Sequence, residues 1–438
     1  MTSGSLVSWN LSILPLGKLS GHEFHTKQYV EHTDGRAKSG FASYFWDRPL
    51  SPCSHHIFEQ AIRDVIMATL PSLFEQFLSD IRPTEENKQD YKDGHETLRE
   101  RLREDDTVSE FYVGDFLQGS YRRWTAVKPI GDEKSDVDII LVTNLDKNDN
   151  SPAEAMENCE PFLEEHYSGQ WERKHRAYQI DEESVELDLV LTAAPSEAMQ
   201  DAIGPDGSIG SLSVDAALDM GETEELLQGL GFEPSTKSDE WKVDPLDIPD
   251  RELEIWEKTH PLYTIAWTID KNARTNKHYV NVVKTIKWWR RTQVSEPERP
   301  KGYPLEHIVG WCCPDDIESV AEGVTLTFED IAQRYDTHAQ NEETPFLGAR
   351  GLPDNNVLAR IDGEDFAAFH ENVVEAAELA RQALDEEDPS TSRDLWHSLL
   401  GDEFPPYGSD DDDSDGERQS AQFRSSSGST SVSDQRFA

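Results

Sequence analysis

Basic residues are scarce in this chain: 41 Lys and Arg stand against 87 Asp and Glu among 438 residues, a formal net charge of −46. A surface of that sign repels long polyanions unless a basic cleft is carved into it, so stable nucleic-acid binding is not expected. The acid excess runs through the presumed folded region as well as the tail. That pattern points to a halophilic source, where salt shortens the reach of self-repulsion. Long apolar runs are also missing. No stretch approaches the ~18 apolar residues of a membrane helix. The opening MTSGSLVSWNLSILPLGKL has no basic n-region and is broken by Asn10 and Pro15, so neither export nor membrane insertion is expected. Cysteine is rare, and Cys53, Cys159, Cys312 and Cys313 lack the paired spacing of a structural zinc site. They read as reduced thiols of a cytoplasmic protein. Cys53 with His55 and His56 lacks a fourth ligand at useful spacing.

A chain of this length exceeds one hydrophobic core, so two packed lobes with accessory segments are expected. Residues 1–55, rich in Gly, Ser and His, read as an irregular N-terminal arm. Apolar residues at helical spacing from about 56 to 80, and the polar stretch after Pro83, predict two helices forming a spine. FYVGDFLQGSYRRWTAVKPIGDEKSDVDIILVTNL over 111–145 predicts strand, tight Gly turn, short helix, loop and strand. A helix over 152–167 and a strand over 184–194 follow, then loops around short elements over 195–255. From about 260 onward helical patterns dominate, including 317–335 and 363–386, so the second lobe reads as all-helical. The boundaries are therefore 56–255 for an α/β (α+β) core with a mixed sheet and 256–404 for a C-terminal helical lobe. The acidic, Ser-rich tail 405–438 reads as disordered.

Residues two apart on a strand share a face, about 6.6 Å apart along the chain, so Asp136 and Asp138 in DVDIILV project together. Asp188 in SVELDLVL alternates with Val185, Leu187 and Leu189, so a neighbouring strand can bring it beside them; Glu186 shares its face and reads as a solvated acid. Like charges gathered on one face raise one another's pKa, a cost that divalent cations offset. Gly119-Ser120, after an apolar strand, lets backbone N–H groups and a hydroxyl approach phosphate oxygens closely. Either motif alone is common. The order Gly-Ser, 15 intervening residues, DxD, then an isolated Asp inside an apolar strand is much harder to meet by chance.

QGSYRRWTAVKPIGDEKSDVDIILV resembles the signature of polymerase-β-type nucleotidyltransferases, specifically the CD-NTases, the bacterial and archaeal cyclic GMP-AMP synthase-like oligonucleotide cyclases of antiphage CBASS defence. The likeness runs from IRPTEENKQDY near 82 through VELDLVLTAA, IPDRELEIWEKTHP, VVKTIKWWRRTQ and PKGYPLEHIVGW. It implies a polymerase-β-like core and helical lobe with the active site in the interlobe cleft. Asp136, Asp138 and Asp188 would hold two Mg2+ ions (Mn2+ as a substitute), and Gly119 and Ser120 the triphosphate. Lys287 of KTIKWWRR matches the lysine that reaches back to the triphosphate, with Lys284 one turn earlier as the alternative. Tyr303 matches a base-stacking aromatic. Gly302 departs from the pattern, standing where many relatives have a serine. Trp288 and Trp289 read as core and interface.

The implied reaction joins nucleoside triphosphates into a cyclic di- or trinucleotide messenger, read by a downstream effector protein. Two rivals are a template-independent RNA nucleotidyltransferase, which would need a basic track, and a catalytically silent nucleotide-binding module. The end of the chain, Asp434-Gln435-Arg436-Phe437-Ala438, resembles the flexible C-termini that an E1/E2-like partner conjugates to targets.

Overall fold

The structure, a computed structural model, describes residues 12–19, 22–33, 36–42, 69–203, 220 and 244–405. The chain divides into two units, Met1–Arg63 and Asp64–Ala438. In the first, where an irregular arm is expected, β1 (Ser12–Leu19), β2 (His22–Thr33) and β3 (Arg36–Ala42) form an antiparallel meander. The pairings Leu19↔His22 and Thr33↔Arg36 leave two residues at each reversal. The second pair is Asp34-Gly35, a strong hairpin signal that a composition-based reading passes over. The part over 56–68 of the helix expected from about 56 to 80, most of the 195–255 loops, Cys53 with its histidines, and the tail from residue 406 lie outside the described residues.

In the second unit, α1 (Pro71–Ile81) and α2 (Glu85–Glu104) follow each other. Thr84 caps α2 by accepting from the Asn87 N–H at 3.1 Å, the side-chain cap that satisfies an orphan donor of the first turn. The two helices do not form one spine. Phe74, Phe77, Leu78 and Ile81, at i, i+3, i+4 and i+7, turn α1 into the helical cluster. There the Phe74 ring lies 4.9 Å from Trp396 and 5.1 Å from Phe404. Only α2, through Tyr91, Leu98 and Leu102, packs on the sheet.

That sheet has five strands in the order β4 (Tyr112–Gln118), β5 (Ser135–Thr143), β8 (Val185–Leu191), β7 (Tyr178–Asp181) and β6 (Trp171–Arg173). It is mixed: β5 and β8 run parallel and the other neighbours antiparallel. One face, with Val137, Ile139, Leu141, Leu187 and Leu189, meets α2 and the two short helices α4 (Pro152–Glu157) and α5 (Glu160–Tyr167). A single helix was expected over 152–167; Pro161 at the start of α5 lacks the N–H that continuation would need. The other face, with Phe116, Ile140, Val142 and Val190, meets α7 (Pro261–Arg274) through Leu262, Ile265, Ala266 and Ile269. Between α5 and α7 lie α6 (Glu197–Ile203) and the hairpin β9 (Leu246–Asp250) and β10 (Ile255–Thr259).

The helical lobe continues with α8 (Tyr279–Thr292), α9 (Tyr303–Cys312), α10 (Val320–Gln340), α11 (Gly363–Asp385) and α12 (Pro389–Leu400). The helical pattern over 260–293 is broken by Asn276 and Lys277, whose φ values are 52° and 70°. The lobe is not all-helical: Gly348–Ala349 pairs with Leu352–Asn356 as a small hairpin. Its residues LPDNN carry no period-2 apolar pattern to announce a strand. Cys159, Cys312 and Cys313 are free and buried. Among the described residues no helix is long and apolar enough to cross a membrane.

Candidate active site

The sheet places the acids by register. On β5, half-buried Asp136 and Asp138 alternate with the fully buried Val137 and Ile139. Asp136 and Asp138 therefore share the face that continues into Ile140 and Val142. Parallel pairing sets Asp136 opposite Glu186 and Asp138 opposite Asp188. Asp188 is buried at 5 % exposure, whereas Glu186 is half-buried. Four carboxylates thus stand at one end of two adjacent strands, on one face, backed by an apolar layer.

The turn behind them is fitted to the same spot. Gln118, the last residue of β4, pairs with Asp138, and the chain then folds into the single turn α3 (Gly119–Arg122). Gly119 has φ +78°, and a Cβ there would lie 1.7 Å from Asp138 Oδ2. Only glycine lets this backbone pass so close to the carboxylate. Half-buried Ser120 holds the turn through its carbonyl, which accepts from the Thr125 N–H at 2.9 Å.

The helical lobe contributes cations from α8. Lys284, 9 % exposed, has its ammonium pKa pulled down to about 7 by burial, then by Arg82, Lys287 and Lys88. Lys287 is equally buried and donates to Glu306 Oε1 at 3.0 Å and to the Thr125 carbonyl at 3.1 Å. Burial lowers its pKa and the Glu306 charge works against that. Burial would raise the Glu306 carboxyl, but Arg123 and Lys287 override it and hold it at about 2. Tyr303, half-buried at the start of α9, has the Arg123 guanidinium 5.2 Å from its ring centroid and the His307 ring at 5.3 Å. Gly302, before it, has φ +58° and ψ −132°. A serine would be strained in that backbone.

The structure therefore gathers Asp136, Asp138, Asp188 and Gly119, and it ties Lys287 and Tyr303 into one cluster through Arg123 and Glu306. Arg123, Thr125 and Glu306 were not anticipated from the sequence. The available signal was the Arg122-Arg123 pair one residue after Gly119-Ser120 in so acidic a chain. A second acid-and-histidine cluster, Asp105, Glu165 and His166, has a local explanation. Asp105 ends α2, with Oδ1 accepting from the Thr107 and Val108 N–H groups and Oδ2 lying 3.1 Å from His166 Nε2.

Acids on paired strands of a mixed sheet, behind a Gly-Ser turn that abuts one of them, define a nucleotidyltransferase of the polymerase-β type. The comparisons narrow that class. Residues 67–192 match the Second Messenger Oligonucleotide or Dinucleotide Synthetase domain. The chain is 39% identical to a cyclic AMP-AMP-GMP synthase of Enterobacter hormaechei, over 77% of this chain and 93% of that one. It is 30% identical to a cyclic AMP-AMP-AMP synthase of an Acinetobacter species, over 77% and 86%. Among solved structures, CdnC of Escherichia coli MS115-1, determined in a complex with HORMA-deltaN, aligns with a TM-score of 0.54 over 76% of this chain and 98% of that one. At 12% identity that likeness concerns the fold alone. The chain belongs to the CD-NTase family of oligonucleotide cyclases, and it is a nucleotidyltransferase.

Proposed function

We propose that the chain is a magnesium-dependent synthase of a cyclic trinucleotide containing AMP units, acting in antiphage defence in the cytoplasm. The observation that carries the reading is the in-register pairing of Asp138 with Asp188 beside Gly119. Hard carboxylate oxygens in such number suit Mg2+. Asp136 and Asp138 would face both of two ions and Asp188 the one on the nucleophile's side. Divalent cations there would supply Lewis acidity toward the phosphate and a lowered pKa for the attacking hydroxyl.

This chain's own residues do the rest. The Gly119-Ser120 turn positions the triphosphate, and Tyr303 offers a ring to a base. Lys284 is the better phosphate contact of the two lysines, because its main electrostatic neighbours are cations whereas Lys287 is committed to Glu306. In each transfer a ribose 2′- or 3′-oxygen attacks the α-phosphorus, a new P–O bond forms, the bond to the β-phosphate bridge breaks and pyrophosphate leaves. The hydroxyl proton passes to solvent. The final transfer closes the ring. Positioning and electrostatics carry most of such a reaction.

The catalytic core is proposed to span 56–255, with α1 packing into the helical lobe of 256–404. The tail 405–438 is proposed to be dispensable for synthesis. The acidic surface is read as an adaptation to high salt. Purified protein incubated with labelled nucleoside triphosphates and Mg2+ should release pyrophosphate and yield a phosphatase-resistant product whose mass is that of a cyclic trinucleotide. Extension of an added RNA primer, or no turnover at all, would refute the reading in favour of an RNA nucleotidyltransferase or a silent module.

A further inference from the structure

Glu306 lies in the first turn of α9 and is only 3 % exposed. A carboxylate so buried needs partners, and it draws them from separate stretches of the chain. Oε1 accepts from Lys287 Nζ of α8 at 3.0 Å and from the Thr125 hydroxyl at 2.8 Å, and Oε2 accepts from Arg123 Nε at 3.0 Å. Two cations and one anion are thus enclosed together, Arg123 and Lys287 each at 8 % exposure.

Arg123 carries this cluster toward the acids. Its backbone N–H donates to the Gly119 carbonyl at 3.1 Å, and Gly119 is the residue at which a Cβ would collide with Asp138 Oδ2. Its guanidinium also lies over the Tyr303 ring. One carboxylate therefore fixes, through one arginine, both the turn against the acidic strands and the aromatic at the start of α9.

We propose that Glu306 is a positioning residue of the active site: by neutralising Arg123 and Lys287 it sets the turn at Gly119 and the local field at Asp136 and Asp138, and so how strongly those acids hold a divalent cation. The proposal rests on the metal-holding role given to these acids above. A carboxylate serving only to glue α9 to the turn would affect stability and leave the cation's affinity alone. One that sets the field moves the affinity in a direction fixed by the charge removed, because charges inside a protein act at low effective dielectric.

The test uses Mn2+ alone, titrated into the nucleotide-free full chain at fixed ionic strength and followed by the paramagnetic resonance of the free ion, with melting recorded alongside. Wild type should bind and Asp138→Asn should bind at least about tenfold more weakly; an unchanged midpoint there overturns the site reading itself and this inference with it. Glu306→Gln, which keeps shape and removes a negative charge, should weaken binding about three- to tenfold. Lys287→Met, which removes a positive charge, should strengthen it by a similar factor. The double variant should return to within about twofold of wild type. The inference is overturned if both single variants fold and keep the wild-type midpoint, or if both shift it in the same direction. Should Glu306→Gln fail to fold, Lys287→Met decides alone: tighter Mn2+ binding upholds the inference, and unchanged or weaker binding overturns it.

Discussion

Two charge clusters of this molecule are built on opposite plans. At the strand pair β5–β8, register gathers carboxylates of one sign on one face. At the junction of α8, α9 and the turn after Gly119, Glu306 is matched against Arg123 and Lys287. A balanced cluster is complete within the protein, and removing one member leaves an uncompensated charge. Carboxylates gathered on one face raise one another's pKa, a cost that a divalent cation offsets.

The sharpest way to break the comparison is at the strand pair. Asp138→Asn keeps size and fold and should lower pyrophosphate release about 1000-fold or more, since it removes a ligand of both proposed ions. Circular dichroism and a melt unchanged within a few degrees would show that the loss is chemical. Residual turnover within about tenfold of wild type would mean that these acids are ordinary strand residues. Gly119→Ala should come next, with a loss of about 100-fold in turnover. Its Cβ would intrude on Asp138 Oδ2, and its φ of +78° would be strained. Unlike the Asn variant, it should also melt lower.

The strand-pair acids were legible in the sequence because their geometry is local. Spacing of two puts Asp136 and Asp138 on one face, and an acid inside an otherwise apolar strand marks Asp188. The same holds for Gly119, since a Gly-Ser turn between strands needs no distant information. The balanced cluster was not legible. Arg123 and Glu306 are 183 residues apart, and Lys287 and the Thr125 carbonyl 162; no periodicity joins them. Lys287 illustrates the consequence, because on helical spacing it and Lys284 differ only by one turn, and the buried acid that engages one of them comes from another helix. The partition of helices failed for a related reason. The apolar stripe of α1 states that the helix packs, while its destination among Trp396 and Phe404 is fixed only by residues more than 300 positions further along the chain. The meander over 12–42 is a different kind of miss, a hairpin signal at Asp34-Gly35 passed over beneath a Gly- and Ser-rich composition.

Tyr303 lies where the two plans meet, and a smaller effect is expected there. Tyr303→Ala should weaken binding of a non-hydrolysable ATP analogue about tenfold, within the range of one base–aromatic stack, while Tyr303→Phe stays within about twofold. Equal losses in the two variants would mean that the hydroxyl matters and that the ring is not a stacking platform.

The smallest effect expected is a proton count, and it tests Lys284 as the phosphate contact. Its ammonium, held at about 7 in the ligand-free protein against an ordinary 10.5, is mostly neutral at pH 8. A bound triphosphate favours the charged form and raises that pKa, so binding should take up about half a proton or more at pH 8 and little at pH 6, where the lysine is already charged. Calorimetric titrations with the ATP analogue in buffers of different ionisation enthalpy measure this directly, and Lys284→Met should abolish it. The same shift sets a stability slope. The folded pKa lies below the unfolded one, so between about 7 and 10.5 the unfolded chain binds more protons and ligand-free stability gains from rising pH. Lys284→Met should flatten that slope while leaving the low-pH limb to groups such as Glu306. Its carboxyl, held at about 2, contributes stability above the ordinary carboxylate range that is lost as pH falls toward 2. Equal proton uptake in wild type and Lys284→Met would take the triphosphate away from Lys284. If uptake were also absent from both, the nucleotide would leave this lysine's environment untouched, and the α8 cations would belong to the fold rather than to the reaction.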